Sequence, residues 1–357
     1  MMFRVVGVMS GTSLDGLDLA LCAFEEKAEG RFSGAILKAV TYPYDTEWQR
    51  RLRYASLLSG RELMKLHADY GVYIGGRVRE FLKTELENVL LVASHGHTIY
   101  HEPGRGFTFQ LGSGAHLAAC CGLPAVCDFR SGDVAHGGQG APLVPLGEQI
   151  LFPEFGAFLN LGGFANVSVH RGGHVRAWDV CAANYVLNAL SRRLGLAYDA
   201  EGVLAASGHL NERLLIQLEN QEYYRRPPPK SLGSEDAEAI LNAYLLPDIP
   251  IRDILHTWCH HAARRIVFDL RRLTGSRPLR VMVTGGGARN TFLMSCLKNY
   301  GAKENLEFVI PDDNLIDFKE AYIFALLGLM RWLQRPTTLA SVTGAQMDSV
   351  TGAVYLP

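Results

Sequence analysis

The sequence predicts an α/β protein of two domains, each a mixed sheet flanked by helices, and three observations carry that expectation. The chain has 357 residues, 48% hydrophobic and 20% charged, enough to bury a substantial core and long for a single domain. Short apolar runs bounded by Gly, Ser, Asn and Asp alternate with longer stretches of helical periodicity. A strand, a polar turn and a second strand open the chain, and the same pattern returns in its second half.

Taken in order, Phe3 to Met9, Leu17 to Phe24 and Ala35 to Tyr42 read as strands, the first two joined by the Gly/Ser/Thr/Asp turn of "GVMSGTSLDGLDLALC". Helices follow over Glu47 to Leu58 and Arg61 to Glu87, the second with Leu63, Leu66, Tyr70, Tyr73 and Ile74 at helical spacing. "VLLVASHG" supplies a buried strand, Ala115 to Cys121 a helix and "PAVCDF" another strand. The glycines and proline of "RSGDVAHGGQGAP" argue against regular structure there. A domain boundary is expected near this loop, giving a first domain of 1–127 with 335–357 and a second of 128–334. In the second half, "FGAFLNLGGFANVSVHRGGHVRAWDV" repeats strand, Gly/Asn turn, strand, Gly-Gly hairpin and strand. Helices are expected at Ala183 to Leu194 and Arg252 to Thr274, with "RRPPPKSLG" as a surface connection between them. "RVMVTGGGARNTFLMSCL" reads as strand, triple-glycine turn and helix, "DFKEAYIFALLGLMRWL" as an apolar helix, and the tail as turn residues around short strands.

Composition excludes several function classes. With 35 basic against 36 acidic residues the net charge is −1, so no overall field draws the chain to nucleic acid or to anionic membranes. No apolar run approaches the ~18 residues that span a bilayer, and Val5 to Met9 is too short for a signal-peptide core. The seven cysteines show neither CxxC spacing nor a disulfide framework, as expected of a cytoplasmic chain. His95, His97 and His101 imitate a metal cluster, but no nearby carboxylate completes a set.

Glycine-rich turns let backbone N–H groups approach an anion, and Ser and Thr hydroxyls add neutral donors. The Gly11, Thr12, Ser13 and Gly16 turn suits phosphate in this way, although GxxxxGK[ST] and strand–GxGxxG–helix units are both missing. Read alone, the turn is equally an ordinary tight hairpin, and Asp179, at a strand end before a helix, is a helix N-cap.

In order along the chain, "MSGTSLDGLD", "SHGHTIYHEP", "FTFQLGSGAHLA", "CDFRSGDVAHGGQGAPLVP", "LNLGGFANVS", "TGGGARNTFLM", "KEAYIFALLG" and "SVTGA" resemble the motifs of the anhydro-N-acetylmuramic acid kinases. The resemblance implies the two-domain actin-like ATPase (ribonuclease H-like) fold, with mixed sheets flanked by helices and an interdomain cleft. It implies an ATP-dependent kinase that hydrolytically opens the 1,6-anhydro ring of anhydro-N-acetylmuramic acid and phosphorylates O6 during cell-wall recycling, with Mg²⁺ at the phosphates. By the same resemblance Gly11, Thr12, Ser13, Leu14, Asp15, Gly16, Leu17 and Asp18 wrap the ATP phosphates from one side, and Gly162, Gly163 and Asn166 approach from the other. Gly285, Gly286, Gly287 and Asn290 border the nucleoside, and Asp179 is the general base. His95, Gln110, Asp133, Gln139, Asn184 and Glu320 are the candidate sugar contacts, and the metal ligands are unassigned. The expected partners are ATP and a small amino sugar, with no nucleic acid and no membrane; a homodimer is left open.

One segment departs from the pattern. Where the family reads FD[TC]GPGN this chain reads "WDVCAAN", which keeps Asp179 and Asn184 but puts Cys181, Ala182 and Ala183 in place of Gly-Pro-Gly. Cβ atoms would then stand where backbone could approach a ligand. This leaves open a paralogue acting on another amino sugar, or a nucleotide-binding sensor that has lost catalysis.

Overall fold

A computed structural model describes all of residues 1–357 except 12–13, 28–30, 172–173, 228–229, 231, 234–237, 240, 242, 244–247 and the side chain of 84. Its contacts divide the chain into one unit of Met1–Pro153 with Phe318–Pro357 and another of Glu154–Asp317. These limits differ from the expected 127/128 and 334/335. Residues 128–153 group with the first unit because they are stitched to its C-terminal tail: Thr351 Oγ1 donates to the Phe129 carbonyl at 2.6 Å and Thr343 Oγ1 to Asp133 Oδ1 at 2.7 Å.

The first unit holds β1 (Met2–Ser10), β2 (Gly16–Glu26), β3 (Phe32–Pro43), β4 (Leu91–Glu102), β5 (Phe107–Leu111) and β6 (Ala125–Cys127). The sheet runs β3-β2-β1-β4-β6, then the C-terminal strand Ala353–Tyr355, with β5 pairing β4. β1 is antiparallel to β2 and parallel to β4. Its run Val5 to Val8 is buried throughout, as a central strand covered on both faces must be. One face packs on the helix Gly60–Leu82, opened by a Ser59/Glu62 capping box and presenting Leu66, Tyr70, Ile74 and Val78 to the core. On the other, a Cβ at Gly7 would stand 1.8 Å from the Ala321 carbonyl oxygen, so only glycine admits the apolar helix that ends at Trp332 so close to β1.

The second unit holds β7 (Ala157–Leu161), β8 (Phe164–Arg171), β9 (His174–Ala182), β10 (Leu279–Thr284) and β11 (Leu306–Val309), ordered β11-β10-β7-β8-β9. β7–β8 and β8–β9 pair antiparallel, and β7–β10 and β10–β11 pair parallel. With β5 and the C-terminal strand set aside, the path β3-β2-β1-β4-β6 of the first sheet therefore matches β9-β8-β7-β10-β11 of the second in order and in direction. The repeat in the sequence is a repeat of topology. The core of this unit gathers Leu159, Val167, Trp258, Ile266 and Leu297 between the sheet and the helices Ile251–Thr274 and Thr291–Ala302. Among the described residues no helix is long and apolar enough to cross a membrane, and all seven cysteines are free thiols.

Several expectations need correction. Ser131–Ala135 is a short helix inside the segment expected to be irregular, and the buried carboxylate of its Asp133 accepts the Gly140 N–H of the loop that follows. The second long helix ends at Leu82 and continues as a 3-10 segment to Asn88. The helices Val144–Leu151 and Glu212–Glu219 and the strands β5 and β11 were not foreseen; each is short, and β11 is an edge strand with little alternation to read. Asp179 does not cap a helix. Pairing of β9 with β8 continues to Ala182, so Ala183 takes the N-cap position, without a side-chain cap. The Gly172-Gly173 turn lies outside the described residues.

Candidate functional site

In the second unit β7 and β10 are parallel neighbours, Asn160 opposite Thr284, and both end at the same edge of the sheet. The Gly162-Gly163 and Gly285 to Gly287 turns leave from these ends, the usual ligand-binding edge of α/β sheets. The glycines serve two purposes. Gly285 sits at φ +83°, and a Cβ there would meet Asn160 Oδ1 at 2.5 Å, while one at Gly287 would meet Leu161 Cβ at 2.7 Å; the protein itself requires both. At Gly162 and Gly163 the nearest atoms to an added Cβ stand 3.5 and 3.8 Å away, and at Gly286 nothing lies within 4 Å. Those three leave open a cradle that side chains would fill, which is what a phosphate-bearing ligand needs.

The Gly162 and Gly163 carbonyls are turned away from this space. Gly163 O accepts the Ala183 and Tyr185 N–H groups at 2.8 and 3.0 Å, and Gly162 O accepts Asn184 N–H at 3.1 Å. Asn184 Nδ2 donates to the Leu161 carbonyl at 3.1 Å, which makes Asn184 a fastener of the turn. Asn290 likewise uses its Oδ1 to cap the helix Thr291–Ala302, accepting Leu293 N–H at 2.9 Å.

Asp179 lies across the strand pair from Asn166. Directly after it the register slips: Ala165 faces Cys181 while Asn166 faces Asp179, leaving Val180 as a bulge. Val180 and Cys181 are both fully buried, and Ala182 and Ala183 join them in the core. The side chains of Cys181, Ala182 and Ala183, where the resemblance expects Gly-Pro-Gly, thus pack into the core. Burial raises the Asp179 carboxyl above the usual carboxylate range, and the Leu232 N–H, 3.0 Å from Oδ2, pulls it back down. Among the described residues this is the carboxylate's one hydrogen bond, so Oδ1 remains available to a proton donor. The sequence missed this environment. The "RRPPPKSLG" segment was expected on the surface, yet Lys230 keeps only 5% of its side chain exposed and its carbonyl accepts Asp179 N–H at 3.0 Å.

In the first unit the β1–β2 hairpin pairs up to Ser10 opposite Leu17, so the phosphate-type turn is the loop between them. Thr12 and Ser13 lie outside the described residues. Leu14 has φ +61° and a buried side chain, an uncommon backbone state for leucine. Ser10, just before Gly11, is held by Tyr44 Oη at 2.8 Å and His97 Nδ1 at 3.0 Å. Asp18 accepts from Thr41 Oγ1 at 2.6 Å, while Asp15 is exposed.

Four of the candidate sugar residues relate to one side chain absent from the expectation, Arg130. Its Nε and Nη2 donate to His95 Nε2 at 3.1 and 2.8 Å, and Nη1 donates to the Gly140 carbonyl at 2.6 Å. His95 must then carry its proton on Nδ1, facing Gly96 O at 2.9 Å. Burial and the Arg130 charge push its pKa down to about 3. Loss of solvation raises the Glu320 carboxyl, and the charges of Lys319 and Arg130 oppose the rise. Asp133 is fully buried, accepting Gly140 N–H on Oδ2 at 2.7 Å and the Thr343 hydroxyl on Oδ1. It holds the loop that presents exposed Gln139, whose N–H donates to Thr343 O at 2.8 Å. Asp133→Ala, which strands both donors, should destabilise the protein by about 2 to 4 kcal/mol, measurable as a lowered denaturant midpoint at constant slope. Gln110, on β5, lines with His95 a cavity of about 150 Å³; its Oε1 is buried without a partner among the described residues.

The histidines do not assemble a metal site. Besides His95, His97 is committed to Ser10 and His101 Nδ1 to Thr108 Oγ1 at 3.2 Å. Among the described residues no group of three or more His, Cys, Asp or Glu could hold an ion alone.

The strand plan shared by the two sheets, each with a small-residue sequence after its first strand, is that of the actin-like, ribonuclease H-like fold class. Comparison with known sequences narrows the class. The chain belongs to the anhydro-N-acetylmuramic acid kinase family, whose profile matches residues 3–357. Proteins named anhydro-N-acetylmuramic acid kinase are similar over nearly their whole length: 32% identity in Hydrogenovibrio crunogenus (99% of this chain, 98% of that protein), 33% in Methylobacterium nodulans (99% and 100%) and 31% in Sulfurimonas denitrificans (98% of each).

Proposed function

We propose that this chain is an ATP-dependent kinase that opens the 1,6-anhydro ring of anhydro-N-acetylmuramic acid with water and phosphorylates O6, giving N-acetylmuramic acid 6-phosphate and ADP. The observation that carries the reading is Asp179: a carboxylate raised by burial, with one oxygen held and one free, across the strand from Asn166 and on the same sheet as two open glycine turns. As general base its Oδ1 takes a proton from the water that attacks the anomeric carbon. The C1–O6 bond breaks, O6 attacks the γ-phosphorus, and ADP leaves. Gly162, Gly163 and Gly286 give phosphate and nucleoside close access to backbone N–H groups, and the Gly11 to Asp18 turn does the same from its own unit.

Mg²⁺ would supply charge neutralisation at the phosphates during transfer. Asp15, exposed in the loop before β2, and Asp18, near the start of β2, are the hard oxygen donors that would hold it, directly or through water. Such a sparse set suits Mg²⁺, which keeps water and phosphate as most of its ligands. Free thiols and a nucleotide co-substrate fit a cytoplasmic setting.

The test is an assay of ADP release with the anhydro sugar, with other amino sugars and with no sugar, the product being identified by mass. Sugar-dependent ADP release that yields the 6-phosphate only from the anhydro sugar is expected. Release with a different amino sugar alone would reassign the substrate, and no release with any sugar would reject the kinase.

A further inference from the structure

Among the described residues β9 is the edge strand of its sheet, so Asp179 faces β8 on one side only. Lys230 and Leu232 lie against its other side. Asp179 N–H donates to Lys230 O and Leu232 N–H donates to Asp179 Oδ2, both at 3.0 Å, while Tyr223 Oη donates to the Asp179 carbonyl at 2.6 Å. Lys230 and Leu232 are also tied to the body of the unit through a buried ion pair. Lys230 provides it. Its Nζ lies 3.5 Å from Asp269 Oδ2 on the helix Ile251–Thr274, both side chains being 5% exposed, and 4.5 Å from the centre of the Tyr223 ring. The same oxygen accepts Trp178 Nε1–H at 3.1 Å, and Arg265 holds the other oxygen at 3.3 Å. One carboxylate oxygen thereby ties down both the residue preceding Asp179 and the segment that covers it.

We propose that Lys230 is a positioning residue for Asp179: its buried pairing with Asp269 fixes the 230–232 segment so that the Leu232 N–H holds Oδ2 and leaves Oδ1 aimed at the attacking water. This rests on the reading of Asp179 as the general base. Small displacements of a reacting group are costly, on the order of a hundredfold in rate for ~1 Å. Freeing the segment should therefore lower kcat without touching the groups that bind ATP.

The experiment compares Lys230→Met, Lys230→Arg, Leu232→Pro, Asp179→Asn and the Lys230→Met/Asp179→Asn pair by steady-state kinetics, with circular dichroism to monitor folding. Lys230→Met should lose roughly 10- to 100-fold in kcat, with KM for ATP and sugar within about threefold. Lys230→Arg, which keeps the charge, should recover most of that loss. Leu232→Pro, which deletes the donor and leaves the ion pair, should reproduce it, and it carries the test if Lys230→Met does not fold. In the double variant the loss should equal that of Asp179→Asn alone, because the segment has nothing left to aim. A folded Lys230→Met or Leu232→Pro with kcat within twofold of the parent overturns the proposal, as do losses that multiply in the double variant. An Asp179→Asn enzyme with unchanged kcat defeats the base assignment first, and the inference with it; that outcome is read from the single variant before any Lys230 variant is considered.

Discussion

Asp179→Asn will lower kcat by a factor on the order of 10² to 10⁴ while leaving nucleotide affinity close to that of the parent. The substitution conserves shape. Asparagine can still accept the Leu232 N–H through its carbonyl oxygen, so the 230–232 segment stays in place and only proton acceptance is lost. The pH dependence separates this from general damage. Because burial raises the Asp179 carboxyl, the active, deprotonated form is lost as pH falls through a value above the usual carboxylate range. The parent's kcat should therefore show an acid limb displaced upward, and the Asn variant should lack that limb. Rapid-quench measurement of the chemical step across pH 4 to 8 checks both. A limb that persists unchanged in the variant assigns the titration to another group, and equal activity rejects Asp179 as base.

Gly163→Val will abolish measurable ATP binding, a loss of ~100-fold or more, in a protein that remains folded. An added Cβ at Gly163 meets no protein atom closer than 3.8 Å, so the fold has room for a side chain, and the loss falls on whatever approaches the turn. Gly287→Val makes the contrast: its Cβ would meet Leu161 Cβ at 2.7 Å, so stability falls along with binding. Calorimetric titration with ATP, paired with thermal melts, distinguishes the two. Unchanged affinity in folded Gly163→Val would show that the turn does not receive phosphate.

Much of the fold was legible because its strongest signals are local. β1, β2, β7 and β8 announce themselves as apolar runs broken by Gly, Ser and Asn, and the repeat of that pattern gives the repeat of topology. What the sequence hid is tertiary in origin. Lys230 looks like a solvated charge beside prolines, and only Asp269, nearly forty positions later, makes it a buried anchor. Arg130 sits inside a motif that was noticed, yet its neighbours His95 and Glu320 come from distant parts of the chain. Asp133 shows the converse. Its residue type and glycine-rich setting suggest a ligand contact, whereas full burial and two protein donors give it the work of shaping the loop.

The bulge at Val180 separates two kinds of constraint that lie side by side in the chain. Residues after it answer to the volume and polarity of the interior, whereas Asp179 before it, the proposed general base, would answer to proton chemistry and to Lys230 and Leu232 on its other edge. The stretch from 178 to 184 can therefore drift in its later letters, exchanging Gly-Pro-Gly for Cys-Ala-Ala, while its one acidic letter keeps its task. A search that scores this heptad as a single word would discard such chains as inactive. One that weights the carboxylate apart from the letters facing the core would retain them.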